Sequence, residues 1–319
     1  MAFSATDAAL EGFRIARERP VAMLIWAAAS LVISLVSTVL MVSMFGGTLN
    51  QLMTISETQT GDPTQAMALM GQMGLLYLFL LPVILVIFSI FTAAVYRAVL
   101  RPNDRAFGYL RLGATELRMA AVMVVLFLLS LVVTLAAVIV IALIGGMAGA
   151  FMGAGEGGVG AAVIMGVLIA ILYVAMIFVS LAFWTKFSFA GPMTFAEGRI
   201  RIFASWRATK GHFWGLLGCY VLAGVLGIVV SFLGSAISMA VMLGLGGGAA
   251  GADGFMAMFE AMQADYTSLA AFFTPAIIGN LVISSVFSAL TYAIFLAPPA
   301  VAYREIVARN SPTLAETFG

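Results

Sequence analysis

Few residues in this chain are equipped for chemistry. It has one histidine, His212, and one cysteine, Cys219, among 319 residues. A single cysteine excludes a disulfide framework, a thiolate cluster and a CxxC redox pair. His212 lies between Gly211 and Phe213 with no carboxylate close by in sequence, so triad and metal chemistry lack their other parts. Met67, Met70 and Met73 recur every three residues, and Met256, Met258 and Met262 form a second group. Thioethers suit Cu(I), but no histidine or cysteine accompanies them, and methionine also suits an adaptable apolar face. No Walker loop, HExxH or dinucleotide fingerprint occurs. We expect no catalytic residue, no cofactor and no metal site.

Two stripes remain. Gly215, Cys219, Ala223, Gly227, Ser231 and Ser235 fall every four residues. Small side chains let helices approach closely in lipid, so these are expected to form a packing seam. Asn280, Ser284, Ser288 and Thr291 form a polar stripe with Tyr292 beside it. Such a stripe serves interhelical hydrogen bonds or, alternatively, lines a ligand path. Pro82 is placed to kink its span and open space beside it.

The elements that must position these residues are set by composition. Hydrophobic residues make up 63% of the chain and charged ones 9%, with a net charge of +1. A soluble domain carries roughly 25% charged residues. Six segments, Val21–Phe45, Met73–Tyr96, Met119–Ile144, Ala161–Thr185, Phe213–Leu243 and Thr274–Ala297, are apolar and free of Asp, Glu, Lys, Arg and His. Each exceeds the roughly 20 residues a membrane helix needs. Lipid cannot satisfy backbone polar groups, and the runs are continuous rather than alternating, so helices are expected and a β-barrel is not. The first segment is too long for the apolar core of a cleaved signal peptide. The expected fold class is all-α: a polytopic membrane protein with six transmembrane helices as three hairpins.

All 15 basic residues fall in four segments: before the first span, between the second and third, between the fourth and fifth, and after the sixth. Eight acids share those segments, and the other face holds Glu57, Asp62, Glu156, Asp253, Glu260 and Asp265 with no base. The positive-inside rule then puts both termini in the cytoplasm. The outer loops 46–72 and 244–273 are expected to hold at most short helices. The glycine-rich stretch Gly145–Gly160 reads as a flexible connector.

The basic segments look alike. Phe13-Arg14, Leu110-Arg111 and Trp206-Arg207 recur at spacings of 97 and 96 residues. The even-numbered spans are followed by Leu100-Arg101-Pro102, Ala190-Gly191-Pro192 and Ala297-Pro298-Pro299, where proline is expected to end the helix. This suggests one membrane domain with internal repeats over 1–102, 103–192 and 193–319. Each would open with an amphipathic interfacial helix. Phe107, Leu110, Ala114 and Leu117 share one face of the second such helix, and Thr194-Phe195-Ala196-Glu197 matches a capping box before the third. Arg14, Arg17, Arg111, Arg118, Arg207 and Lys210 are the expected contacts to anionic headgroups.

The pre-span pieces Glu11-Gly12-Phe13-Arg14 and Ser205-Trp206-Arg207-Ala208-Thr209-Lys210-Gly211-His212-Phe213-Trp214, with the proline exits, carry a resemblance. The order of elements resembles uncharacterised bacterial six-helix inner-membrane proteins, which are similar to the membrane domain of membrane-anchored glycerophosphodiester phosphodiesterases. The resemblance implies six helices in a bacterial inner membrane. Nothing in this chain supplies the metal site of that family's soluble domain, so its phosphodiesterase activity does not carry over.

The expected function is non-enzymatic: a scaffold or assembly subunit in envelope or lipid homeostasis. The alternative is a transporter of lipid-like or apolar molecules. Expected partners are membrane lipids, and a membrane-protein partner or a second copy of the chain, with no nucleic acid. A reporter active only outside the cytoplasm, fused after Ala154, should be active; a silent one would reverse the topology.

Overall fold

The computed structural model describes residues 3–58, 63–104, 106–153, 159–245 and 268–307. Among them are ten α-helices and one 3-10 turn, and no strand. Six helices are long and apolar enough to cross a membrane: α2 (Pro20–Thr58), α3 (Pro63–Leu100), α4 (Ala114–Gly153), α5 (Val159–Phe187), α8 (Phe213–Leu245) and α10 (Pro275–Ile306). The short ones are α1 (Ala5–Glu18), α6 (Ala190–Glu197), α7 (Ile202–Ala208) and α9 (Leu269–Phe272).

Helix starts follow local chemistry. Ser4 caps α1 by accepting from Asp7 N at 3.3 Å. Thr274 caps α10 in the same way, from Ile277 N at 3.3 Å. Pro20, Pro63 and Pro275 each open a helix, where the missing N–H costs nothing. The spans run further than the apolar segments alone predict. With 39 residues, α2 is about 58 Å long at 1.5 Å per residue, against a hydrocarbon core of about 30 Å. Much of the loop expected over 46–72 is helix, and α4 continues through Gly145 and Gly146 to Gly153. A glycine costs a helix about 1 kcal/mol relative to alanine, too little to stop one already formed. Residues 246–267, with Met256, Met258 and Met262, lie outside the described residues.

Helix α10 is the hub. It packs against α1, α2, α3 and α8, through buried Ala289, Ala293, Ala297, Ala300 and Ala302, whose small side chains permit close approach. Consecutive spans α4 and α5 lie side by side, as do α8 and α10. In contrast, α2 has its main contact with α10 and touches α3 little. The most apolar stretch of α5 has no residue buried inside the protein, and that of α4 almost none. These two form a peripheral pair.

The three pre-span pieces take three different forms. Only the first is a full helix, and its inner face (Ala8, Ala9, Gly12 and Ile15) is buried against protein rather than lying free. Helix α1 crosses α10 so closely that a Cβ at Gly12 would lie 2.5 Å from the backbone of Ile294. The second piece corrects the expected amphipathic helix. Residues 106–109 make a 3-10 turn in which Phe107, Gly108 and Tyr109 are all left-handed, and α4 begins only at Ala114. Such a backbone costs on the order of 1–2 kcal/mol at each non-glycine residue. Tertiary contacts override the helical spacing: Trp26 Nε1 donates to Gly108 O at 2.6 Å, Arg97 donates to Tyr109 O, and Tyr109 OH donates to Pro102 O at 3.1 Å. Phe107 and Leu117, expected on one face, are both exposed. In the third piece, Thr194 and Glu197 end α6 instead of opening a helix: Gly198 is a left-handed C-cap, and Thr194 Oγ1 accepts from Arg201 N.

The proline exits also divide. Helix α3 stops at Leu100, before Pro102. Helix α5 stops at Phe187, and Pro192 sits within α6. Pro298 and Pro299 do not end α10, which runs seven residues past them to Ile306. Prolines are tolerated inside a membrane helix that neighbours pack around, and this stretch is encased by its neighbours.

Gly12→Val should detach α1 from α10. Overpacking of this kind costs about 1–3 kcal/mol, read as a lower thermal midpoint in detergent. Gly74→Val, where an added Cβ meets nothing within 4 Å, should leave the midpoint nearly unchanged.

Candidate functional site

The seam on α8 differs in detail from the four-residue stripe. The residues buried along it are Leu216, Cys219, Ala223, Gly227, Val230 and Gly234. At 100° per residue, a strict spacing of four drifts about 40° per step. The stripe therefore starts on exposed Gly215, coincides with the seam at Cys219, Ala223 and Gly227, and leaves it at exposed Ser231 and Ser235. The seam averages 3.6 residues per step and stays facing α10. The ring of Phe295 fills the space a Cβ at Gly227 would need, and the ring of Phe287 comes within 2.7 Å of one at Gly234.

Beyond this seam the helices part. A cavity of about 490 Å³ lies between α3, α4, α5, α6, α8 and α10, within the size range of small-molecule sites. Its apolar wall includes Phe88, Met123, Leu126, Phe187, Leu217 and Leu296. The rim residues Leu181, Trp184, Val221 and Phe295 are exposed on the apolar girth of the bundle, so the opening faces sideways. Gly191 of α6 lines the end nearest the basic residues, with Tyr96 OH 2.8 Å from the position of a Cβ there. Gly224 lines the wall with nothing within 4 Å of an added Cβ.

Four hydroxyl residues also line the cavity: Tyr96, Thr185, Ser188 and Tyr220. Thr185 donates to Leu181 O at 2.7 Å and Ser188 to Thr185 O at 2.8 Å. The Tyr220 hydroxyl is buried without a hydrogen-bond partner of good geometry, and Ser188 is its polar neighbour. A buried unpaired hydroxyl costs on the order of 1–3 kcal/mol. That makes it a group ready to pair with an incoming acceptor.

Beside the cavity, α7 docks on the end of α5. Ser205 is fully buried, donates to Lys186 O at 2.7 Å and accepts from Phe189 N at 3.1 Å. This ties α7 to the end of α5, whose last carbonyls need partners. The Lys186 ammonium then sits 5.7 Å from the Trp206 ring centroid and 5.4 Å from that of Phe213, a favourable cation–π geometry. Phe187, in the cavity wall, packs edge-on against Trp206 at 5.7 Å.

The residues singled out from sequence are scattered. Ala223 of the stripe lines the cavity. Asn280, Ser284, Ser288 and Thr291 do not; Ser284 is exposed and donates to Asn280 Oδ1 at 3.4 Å. Pro82 is exposed and not part of the wall. Among the basic residues, Arg14 pairs with Glu11 and Arg111 with Asp104. Arg17, Arg118, Arg207 and Lys210 are exposed, without an ion pair among the described residues. Met67 and Met70 are exposed on α3. Tyr96, Thr185, Ser188, Tyr220 and Lys186 are absent from any single-helix pattern. The available clue was hydroxyl and aromatic residues gathering near the basic ends of three different spans.

No protein-family model, no curated protein and no solved structure matches the chain. Fold and cavity together define a six-helix membrane protein with a laterally open, apolar-walled chamber.

Cys219 is fully buried in the seam and should resist a membrane-permeant maleimide until the protein is denatured. In a Cys219→Ala background, Val221→Cys at the rim should react faster than Cys219 does in the folded protein, and equal labelling of both would displace the cavity from this wall.

Proposed function

We propose that this protein is a non-enzymatic integral membrane protein of a bacterial inner membrane. It holds a membrane lipid by its hydrocarbon chain, as a scaffold or assembly subunit in envelope or lipid homeostasis. One observation carries the reading: the cavity of about 490 Å³ with an apolar wall, lined in part by apolar residues exposed on the surface of the bundle. Chains in the surrounding bilayer can enter sideways without crossing water. The residues of α8 that line it lie between four and eleven positions past Phe213, about 6–16 Å in from the start of the helix. That depth is where acyl chains begin beneath the headgroups. The distribution of basic residues supports placing this end, and both termini, in the cytoplasm.

The polar stripe on α10 supports the transport alternative less well. It lies apart from the cavity, and Ser284 is exposed on the bundle's outer surface.

Gly224→Phe should fill the chamber, since nothing stands within 4 Å of the first added carbon. The variant should melt no lower than wild type and should co-purify with clearly less lipid by mass spectrometry. Undiminished lipid in a folded Gly224→Phe protein would reject the reading.

A further inference from the structure

The charges beside the cavity are among those at that end with no carboxylate partner among the described residues, as are Arg17 and Arg118. Elsewhere, several basic side chains are committed within the protein. Arg14 pairs with Glu11, Arg97 with Glu116, Arg111 with Asp104 and Arg201 with Glu197. Arg19 and Arg304 donate to backbone carbonyls of α3. Lys186, Arg207 and Lys210 have no carboxylate partner among the described residues. Lys186 is half-buried, held between Trp206 and Phe213, and its neighbour Phe187 lines the cavity. Arg207 follows Trp206 directly, and Lys210 lies on the turn that leads into α8. Lys186 thus lies in the chain between two residues that line the chamber, Thr185 and Phe187, and has no counter-charge among the described residues. The unpaired Tyr220 hydroxyl lies deeper in the same wall.

We propose that the chamber selects an anionic glycerophospholipid from the leaflet at the basic end. One acyl chain enters between α5 and α8. The Tyr220 hydroxyl donates to an ester carbonyl, and the phosphate meets Lys186, Arg207 and Lys210. A zwitterionic lipid would bring its own ammonium into this cluster and lose part of the attraction, whereas a net negative headgroup would not. Each basic residue near an anionic surface adds to the attraction. The aromatic faces of Trp206 and Phe213 suit the headgroup level, where amphipathic rings gather. The inference rests on the reading that the chamber holds a lipid chain, and it adds the headgroup.

The test uses the full chain in nanodiscs of phosphatidylcholine alone or mixed with phosphatidylglycerol of the same chains. Bound lipid is counted by native mass spectrometry after extraction. Wild type should retain phosphatidylglycerol about tenfold over phosphatidylcholine, a preference set by the unpaired cations. Raising salt from about 50 mM to about 500 mM should erode the preference, since a partly exposed ion contact is screened. Arg207→Gln with Lys210→Gln, both at exposed positions where folding is not at risk, should lower the ratio. Adding Lys186→Gln should bring it near unity, while Lys186→Arg should keep it. Equal retention of the two lipids by wild type, or a ratio indifferent to Arg207→Gln/Lys210→Gln and to salt, would overturn the headgroup assignment alone. Retention of neither lipid, or of both undiminished in Gly224→Phe, would remove the lipid-chain reading as well.

Discussion

Helix α3 ends inside the protein, and arginines complete it. Ala98, Val99 and Leu100 are all buried, and the last carbonyls of a helix have no partner within it. Arg19, at the junction of α1 and α2, donates to Ala98 O, and Arg304, near the end of α10, donates to Val99 O at 3.2 Å. Their positive charge also suits the negative end of the helix dipole. Arg97, on the same turn, reaches outward to Tyr109 O and to the buried carboxylate of Glu116 at the start of α4. Four spans are fastened at one level by this cluster. Removing Glu116 would leave the buried Arg97 guanidinium only the longer contact to Asp104 at 3.8 Å; breaking a buried pair costs about 3–5 kcal/mol in comparable cases.

The rest of the architecture depends on that fastening, because lipid gives the spans little reason to choose one neighbour over another. The cluster fixes where α2, α3, α4 and α10 meet, and the small residues of α10 then let α1 and α8 close in. On the far side of α8 no such device acts. Helix α4 meets the bundle chiefly along α3 and also through α6, and α5 through α8 and α7, and the chamber is the space that remains between them and α8.

The six spans are legible in the sequence because lipid imposes one rule, continuous apolarity, along every residue of them. What happens at their ends is not, because there the rule lapses and particular contacts decide. The spacing of Phe107, Leu110, Ala114 and Leu117 is helical, yet Trp26 and Arg97, distant in sequence, hold that stretch as a left-handed turn. The stripe on α8 is legible through its small residues, but its spacing of four departs from the 3.6 residues of the seam, so Leu216, Val230 and Gly234 fall outside it. The chamber is not legible for a different reason: six helices contribute to it, and no one of them holds a third of its wall. Lys186 reads in sequence as one flanking charge among fifteen; only the docking of Ser205 on Lys186 O shows why it is held where it is.

The bareness of α4 and α5 bears on how this chain can vary over generations. Lipid separates apolar side chains from polar ones but hardly tells one apolar side chain from another. Along most of these two helices, then, substitutions among leucine, isoleucine, valine and phenylalanine face little selection. Gly12, Gly227, Arg97 and Glu116 answer to specific neighbours and have no such freedom. Descendants of a common ancestor would come to share these few positions and a hydropathy profile while their spans drifted apart. Kinship in this fold is therefore recorded at its specific contacts, not along its lipid-facing spans.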